Sequence, residues 1–135
     1  MNEHRRPRVL IADDYPGLPT AVARLLAASC DVVGHVAGGT ELLDTVARLQ
    51  PDVVVADVHL PEVHGFEVCS RIRESHQARV VLISAAIDPA FHDRALAAGA
   101  SAFVGKYRLA EELAEAVKKA FDQLGASDGS PIVGS

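Results

Sequence analysis

Five side chains stand where chemistry is easiest to build. An adjacent acidic pair, Asp13-Asp14, follows the run RVLIA, and a lone Asp57 follows VVVA. Ser84 follows VVLI, and Lys106 follows SAFVG. Carboxylates brought close together repel, and each then tends to hold a proton. A hard divalent cation relieves that repulsion, and Mg²⁺ in particular takes one or two carboxylates plus phosphate oxygens while keeping several waters. Lys106 adds a compact positive charge for an anion, and the Ser84 hydroxyl can donate to a phosphoryl oxygen. A carboxylate can also act as a nucleophile and form an aspartyl phosphate. The set suits phosphoryl transfer, where positioning and charge neutralisation supply most of the catalysis.

The elements that must position these groups are legible from two alternating kinds of segment. Short, apolar, β-branched stretches at Arg8–Ala12, Asp31–Ala37, Val53–Ala56, Val80–Ile83 and Ser101–Gly105 read as strands. Three of them are almost continuously apolar, as strands covered on both faces are. Between and after them, Leu18–Ser29, Thr40–Leu49, Phe66–Ser75, Pro89–Ala98 and Ala110–Leu124 repeat apolar residues every three or four positions, as amphipathic helices do. Asp88 before Pro89 is a helix start, because the acid caps and the proline needs no N–H in the first turn. Gly99 is the matching stop, and Gly38-Gly39 separates the second strand from the second helix. The last helix lacks a capping residue, which Glu111 and Glu112 offset through the helix dipole. Five β-α units in this order predict a parallel sheet with right-handed crossovers and helices on both faces. In such sheets ligands bind beyond the carboxyl ends of the strands, which is where the five side chains fall.

Composition narrows the function classes. The 135 residues are 49% hydrophobic and 23% charged, one ordinary globular domain in size and balance. Thirteen basic against 18 acidic residues give a net charge of −5, which argues against direct nucleic-acid binding by this chain. No apolar run reaches the 18 or so residues of a membrane span, and the start lacks a signal-peptide pattern, so a cytoplasmic protein is expected. Arg5, Arg6 and Arg8 read as part of a solvated N-terminal arm over residues 1–7, and residues 125–135 as a flexible, linker-like tail after a domain at 8–124. Cys30 and Cys69 belong to helices on opposite faces of the sheet and are expected as free buried thiols. His35, His59, His64, His76 and His92 show no metal-site spacing and read as surface imidazoles.

The segments VLIADD, VVVADVHLPEVHGFE, VVLISA and AAGASAFVGK resemble the receiver domain of two-component response regulators, most closely those of the NarL type. The resemblance runs from Arg8 to Leu124. It implies a flavodoxin-like (βα)5 fold with strand order 2-1-3-4-5. It also implies that Asp57 is phosphorylated by a sensor histidine kinase. Mg²⁺ would be held by Asp14 directly, by Asp13 mainly through water, by Asp57, and by the backbone carbonyl of His59. By the same resemblance, Lys106 pairs with the phosphoryl group or, before it arrives, with Asp57. Ser84 moves toward the phosphate and Phe103 turns inward with it, while Ala85 leaves access to the site. The fourth helix, fifth strand and fifth helix would face a partner, an output domain or a second copy in a homodimer. Two positions depart from the family's pattern. Tyr107 stands where a proline usually follows the lysine, and His64 where an acidic or amide residue usually precedes Gly65.

Two other function classes remain to be weighed. A phosphorylation-independent interaction module of receiver shape would suit those departures. A flavodoxin-like cofactor enzyme would need a phosphate-cradling loop after the first strand, where Asp13-Asp14 would repel the cofactor's phosphate. Beyond its own phosphorylation and dephosphorylation, no enzyme activity is expected.

Overall fold

The computed structural model describes residues 5–86 and 88–128, with side chains described to residue 124. The strands are β1 (Arg8–Ala12), β2 (Asp31–Val36), β3 (Val53–Asp57), β4 (Arg79–Ser84) and β5 (Ala102–Gly105). The helices are α1 (Leu18–Leu26), α2 (Gly39–Leu49), α3 (Gly65–Ser75), α4 (Pro89–Ala97) and α5 (Leu109–Asp128). All strand pairs are parallel, in the order β2-β1-β3-β4-β5. This is the flavodoxin-like arrangement that the alternation and the resemblance imply. Among the described residues no helix is long and apolar enough to cross a membrane.

Successive strand residues point to opposite faces, so the apolar runs feed two separate cores. Leu10, Ala12, Val54, Ala56, Val80 and Leu82 meet Leu42 and Val46 of α2 and Val68, Cys69 and Ile72 of α3. Val9, Ile11, Val53, Val55, Val81 and Ile83 meet Val22 and Leu26 of α1 and Leu113, Val117 and Ala120 of α5. Burial on both faces is why these strands lack polar alternation. Cys69 lies in the first core and Cys30 in the second; both are free and buried, as expected. Helix α4 is attached differently, with Ala95 as its buried residue.

The expected boundaries hold to within a few residues, and three departures have a physical cause. Helix α1 stops at Leu26 rather than Ser29, because the amides of Ser29 and Cys30 both turn back to the Leu26 carbonyl, at 3.1 and 2.8 Å. The carbonyls this leaves are taken by one side chain from the expected arm. The Arg6 guanidinium donates to the carbonyls of Ala27, Ala28 and Cys30 at 2.7, 3.2 and 2.7 Å, where a cation also suits the helix dipole. Residues 5–7 are therefore tied to the domain, although Arg5 and Arg6 remain exposed. Arg6 also pairs with Asp31, Arg5 makes a two-pronged ion pair with Asp52, and Pro7 is buried. The rest of that arm lies outside the described residues. Helix α5 runs on to Asp128, so the first four residues of the expected tail are helical. A single glycine costs a helix only about 1 kcal/mol relative to alanine, and Gly125 does not stop it. Residues 129–135 lie outside the described residues.

Candidate phosphoryl and metal site

The carboxyl ends of β1, β3, β4 and β5 place the candidate residues. Asp13 follows β1, with its amide still bonded to the sheet through the Val36 carbonyl at 3.1 Å. Its side chain is buried, and Oδ1 accepts from the Tyr15 amide at 2.7 Å. Asp14, next along, is exposed. Gly17, at φ 84°, lets the loop turn into α1. Asp57 is the last residue of β3 and pairs in register with Ile83 of β4. Ser84 is the next residue along β4, fully buried and in register with Gly105. Its oxygen accepts from the Ala86 amide at 3.0 Å. Lys106 leaves β5 and turns into the site, with Nζ 2.8 Å from Asp13 Oδ2 and 3.7 Å from Asp57 Oδ1.

These groups fit a divalent cation. One carboxylate oxygen from each of Asp13, Asp14 and Asp57 lies within 4.8 Å of the other two. Asp13 Oδ2 is buried, with the Lys106 ammonium at 2.8 Å as the polar group that faces it. A buried anionic oxygen is costly even with a cation beside it, and an oxygen-seeking ion relieves it. Asp57 shows the same strain. Burial raises its pKa above the ordinary carboxylate value, and the Asp13 charge raises it further. Lys106 and the backbone N–H of His59 oppose the rise.

Helix α3 begins immediately beneath Asp57. The Gly65 amide donates to the Val58 carbonyl at 2.8 Å. A Cβ on Gly65 would sit 2.7 Å from the Asp57 carbonyl oxygen and 2.7 Å from Val58 Cα, so only glycine admits this approach. His64 caps the helix, its Nδ1 accepting from the Phe66 amide at 3.2 Å. That is the part an acidic or amide side chain would play there, so this departure leaves the helix start intact. At the other departure, Lys106–Arg108 form a single 3-10 turn leading into α5, and no described peptide bond is cis. The Tyr107 side chain is exposed, and its ring folds back over Gly105, where a Cβ would meet it at 2.6 Å.

The sequence placed Asp13, Asp14, Asp57 and Lys106 at one edge, and the structure brings all four into one cluster. Ser84 is adjacent in register, and its Oγ is held by Ala86. The exposed His59 follows two residues after Asp57. Phe103 is half-buried on β5, its ring edge-on to His92 at a centroid distance of 6.1 Å. Sequence reasoning missed Tyr15, whose ring centroid is 5.8 Å from the Lys106 ammonium. It also missed the grouping around His59, reading His59 and His64 as surface imidazoles and Phe66 and Phe91 as members of separate apolar helix stripes. His59, His64, Phe66 and Phe91 lie within 5.0–6.0 Å of one another in successive pairs, with the Arg94 guanidinium 4.8 Å above Phe66. An aromatic directly after the acidic pair was the available signal for Tyr15. Nothing periodic marks the second group.

Five parallel strands in this order, with three acids and an amine gathered at their carboxyl edge, define a flavodoxin-like α/β domain built around an acidic site. Residues 9–118 match the family model described as response regulator receiver domain, and the chain belongs to that family. It is 33% identical over 117 residues to the response regulator GacA of Pseudomonas viridiflava, covering 84% of this chain and 55% of that protein. It is 39% identical over 98 residues to a protein-glutamate methylesterase/protein-glutamine glutaminase of Geobacter metallireducens, covering 69% of this chain and 28% of the enzyme. The chain thus spans about half the length of the first relative and less of the second. Among solved structures it resembles the signal receiver domain of the putative response regulator NarL from Mycobacterium tuberculosis. The TM-score is 0.77 at 32% identity, covering 89% of this chain and 97% of that one.

Proposed function

We propose that Asp57 is the phosphoryl acceptor of this receiver domain and that Asp13, Asp14 and Asp57 hold Mg²⁺ for the transfer. The observation that carries this reading is the cluster itself: three carboxylates within 4.8 Å, with Lys106 reaching two of them. An Asp57 oxygen attacks phosphorus, the bond to the donor's leaving group breaks, and an aspartyl phosphate forms. A phosphohistidine of a sensor kinase is the donor, and its imidazole leaves with the bonding pair and takes up a proton. When bound, Mg²⁺ neutralises charge on the phosphoryl oxygens. Lys106 supplies the neighbouring positive charge. Ser84 accepts from Ala86 through a lone pair, which leaves the hydroxyl hydrogen to donate to a phosphoryl oxygen. Ser84 and Phe103 then carry the conformational change. The backbone carbonyl of His59 completes the metal's protein ligands.

The output passes to a partner or a further domain in the cytoplasm, and kinship with a putative transcriptional regulator of Pseudomonas aeruginosa supports control of transcription. A homodimer through α4, β5 and α5 is one form that output takes. The module reading, independent of phosphorylation, rested on His64 and Tyr107. His64 caps α3 and Tyr107 lies outside the acid cluster, so neither removes a group the transfer needs. Incubation with Mg²⁺ and acetyl phosphate, read by intact mass, tests the proposal. One phosphoryl group is expected on the parent chain and none on Asp57→Asn. A gain that persists in the variant moves the acceptor elsewhere.

A further inference from the structure

Helix α4 is the most lightly anchored of the five. It buries Ala95, whereas α2 and α3 bury four residues each. Its N-terminal half is held instead by rings. The Phe91 centroid lies 5.6 Å from that of His59 and 6.0 Å from that of Phe66. The Arg94 guanidinium stands over both Phe66 and Phe91, at 4.8 and 5.8 Å. His64 closes the group, 5.5 Å from His59 and 5.0 Å from Phe66. Pairs at these separations attract beyond the area they bury, and a guanidinium over a ring adds to that.

His59 has two attachments. Its backbone lies two residues after Asp57 on the loop that leaves β3, and its ring touches α4 through Phe91. We propose that His59 couples the occupancy of Asp57 to the seating of α4 through this aromatic–guanidinium cluster, as a route separate from Ser84 and Phe103. The inference rests on the phospho-acceptor reading above. Once Asp57 is esterified, the phosphoryl group adds bulk and charge beside the loop that carries His59. The loop backbone shifts, and the ring shifts with it. A helix with little else buried then changes its seating, whereas a well-packed helix would resist. The two-state element is α4, held beyond its buried Ala95 by Phe91 and Arg94 on the α3 side and by His92 against Phe103 on the β5 side.

Amide hydrogen exchange of the full chain, with Mg²⁺ alone and with Mg²⁺ plus beryllofluoride, tests this. Phe91→Leu keeps apolar bulk but loses the ring, and Arg94→Gln removes the cation while sparing the core. Without beryllofluoride, α4 amides are expected to exchange about three- to tenfold faster in each variant, with α1 and α2 unchanged. Beryllofluoride is expected to alter α4 exchange in the parent chain and to lose most of that effect in Phe91→Leu, with Phe91→Tyr restoring it. If beryllofluoride alters amides around Asp57 and Ser84, yet its effect on α4 is the same in Phe91→Leu as in the parent, the coupling is overturned and the acceptor reading stands. If it moves no amide around Asp57 in the parent, the acceptor reading falls and the coupling falls with it.

Discussion

The Lys106 ammonium lies 2.8 Å from Asp13 Oδ2, nearer than the 3.7 Å that separates it from Asp57. In the resting chain the cation is shared by two buried acids and leans toward the one that is not the proposed acceptor. Asp13 has a side chain with no exposure, so the charge it carries must be balanced locally. Lys106→Met leaves Asp13 and Asp57 facing each other without a cation. Chemical denaturation in EDTA is expected to show a loss of about 2 kcal/mol, the scale of leaving a buried charge unpaired. Phosphoryl uptake is expected to fall about a hundredfold, as when one electrostatic partner of a transferring group is removed. A variant as stable as the parent would show that the ammonium is not what lets these acids stay close.

Metal binding should register as stability, since the three carboxylates converge only in the folded chain. At about ten times its dissociation constant, Mg²⁺ is expected to stabilise the parent by roughly 1.4 kcal/mol. Asp14 separates the two roles the acids play. It is exposed but lies within 4.8 Å of the other two acids, so Asp14→Asn should raise metal-free stability slightly by relieving their repulsion while abolishing the Mg²⁺-dependent gain. Thermal unfolding with and without Mg²⁺ reads both quantities. An undiminished gain in Asp14→Asn would take that residue out of the metal site.

The His64 cap makes helix α3 sensitive to acid. Its Nδ1 accepts from the Phe66 amide, which only an unprotonated nitrogen can do. Burial lowers the His64 pKa below the ordinary 6.5, and the charges of His59 and Arg94 lower it further against the pull of Asp57. The folded state therefore prefers the neutral ring. Between the folded and unfolded values the unfolded chain binds more protons, so stability rises with pH there. The cap's contribution is present above pH 6.5 and is lost as the pH falls through the lowered folded value. At neutral pH, His64→Ala should cost about 1 kcal/mol. His64→Asn, which caps without titrating, should retain stability and flatten its fall on acidification. A parent and Asn variant with the same pH profile would dissociate the cap from the titration.

What the sequence made legible follows a physical divide. Strands such as Val53–Asp57 announce themselves because both faces are buried, and the groups just past their ends inherit a common edge from parallel topology alone. Asp13, Asp57 and Lys106 could therefore be placed together with no distances in hand. Contacts between elements far apart in sequence leave no such periodic mark. Arg6 serving the carbonyls just past the end of α1, from more than twenty residues away, looked like a solvated charge. Phe91 and Phe66 looked like separate core residues, although their rings meet and share Arg94. The length of α5 was hidden by Gly125, whose helix penalty is smaller than its reputation as a breaker.

Gly65 ties the helical layer to the acceptor most directly. Its missing side chain lets α3 start against the backbone of Asp57 and Val58, where a Cβ would lie 2.7 Å from the Asp57 carbonyl oxygen and 2.8 Å from that of Val58. Both obstructing atoms are backbone, so no side-chain rotation relieves the clash. Gly65→Ala must therefore push α3 away, tearing the Gly65 amide from the Val58 carbonyl and displacing the His64 cap that follows from it. Val68, Cys69 and Ile72 ride on the same helix, fully buried against the sheet, so the shift also opens that core. Overpacking of this kind costs about 1–3 kcal/mol, and more where backbone must move. The expected result is a loss of at least about 2 kcal/mol in chemical denaturation, together with slower phosphoryl uptake. Slower uptake is expected even where the variant remains folded, because the carboxylate moves with the backbone it hangs from. Glu74→Ala, on the same helix but exposed and away from this contact, is the control and should stay within about 0.5 kcal/mol of the parent. Equal losses in the two variants would show that α3 tolerates displacement and that the close approach at Gly65 does not position Asp57.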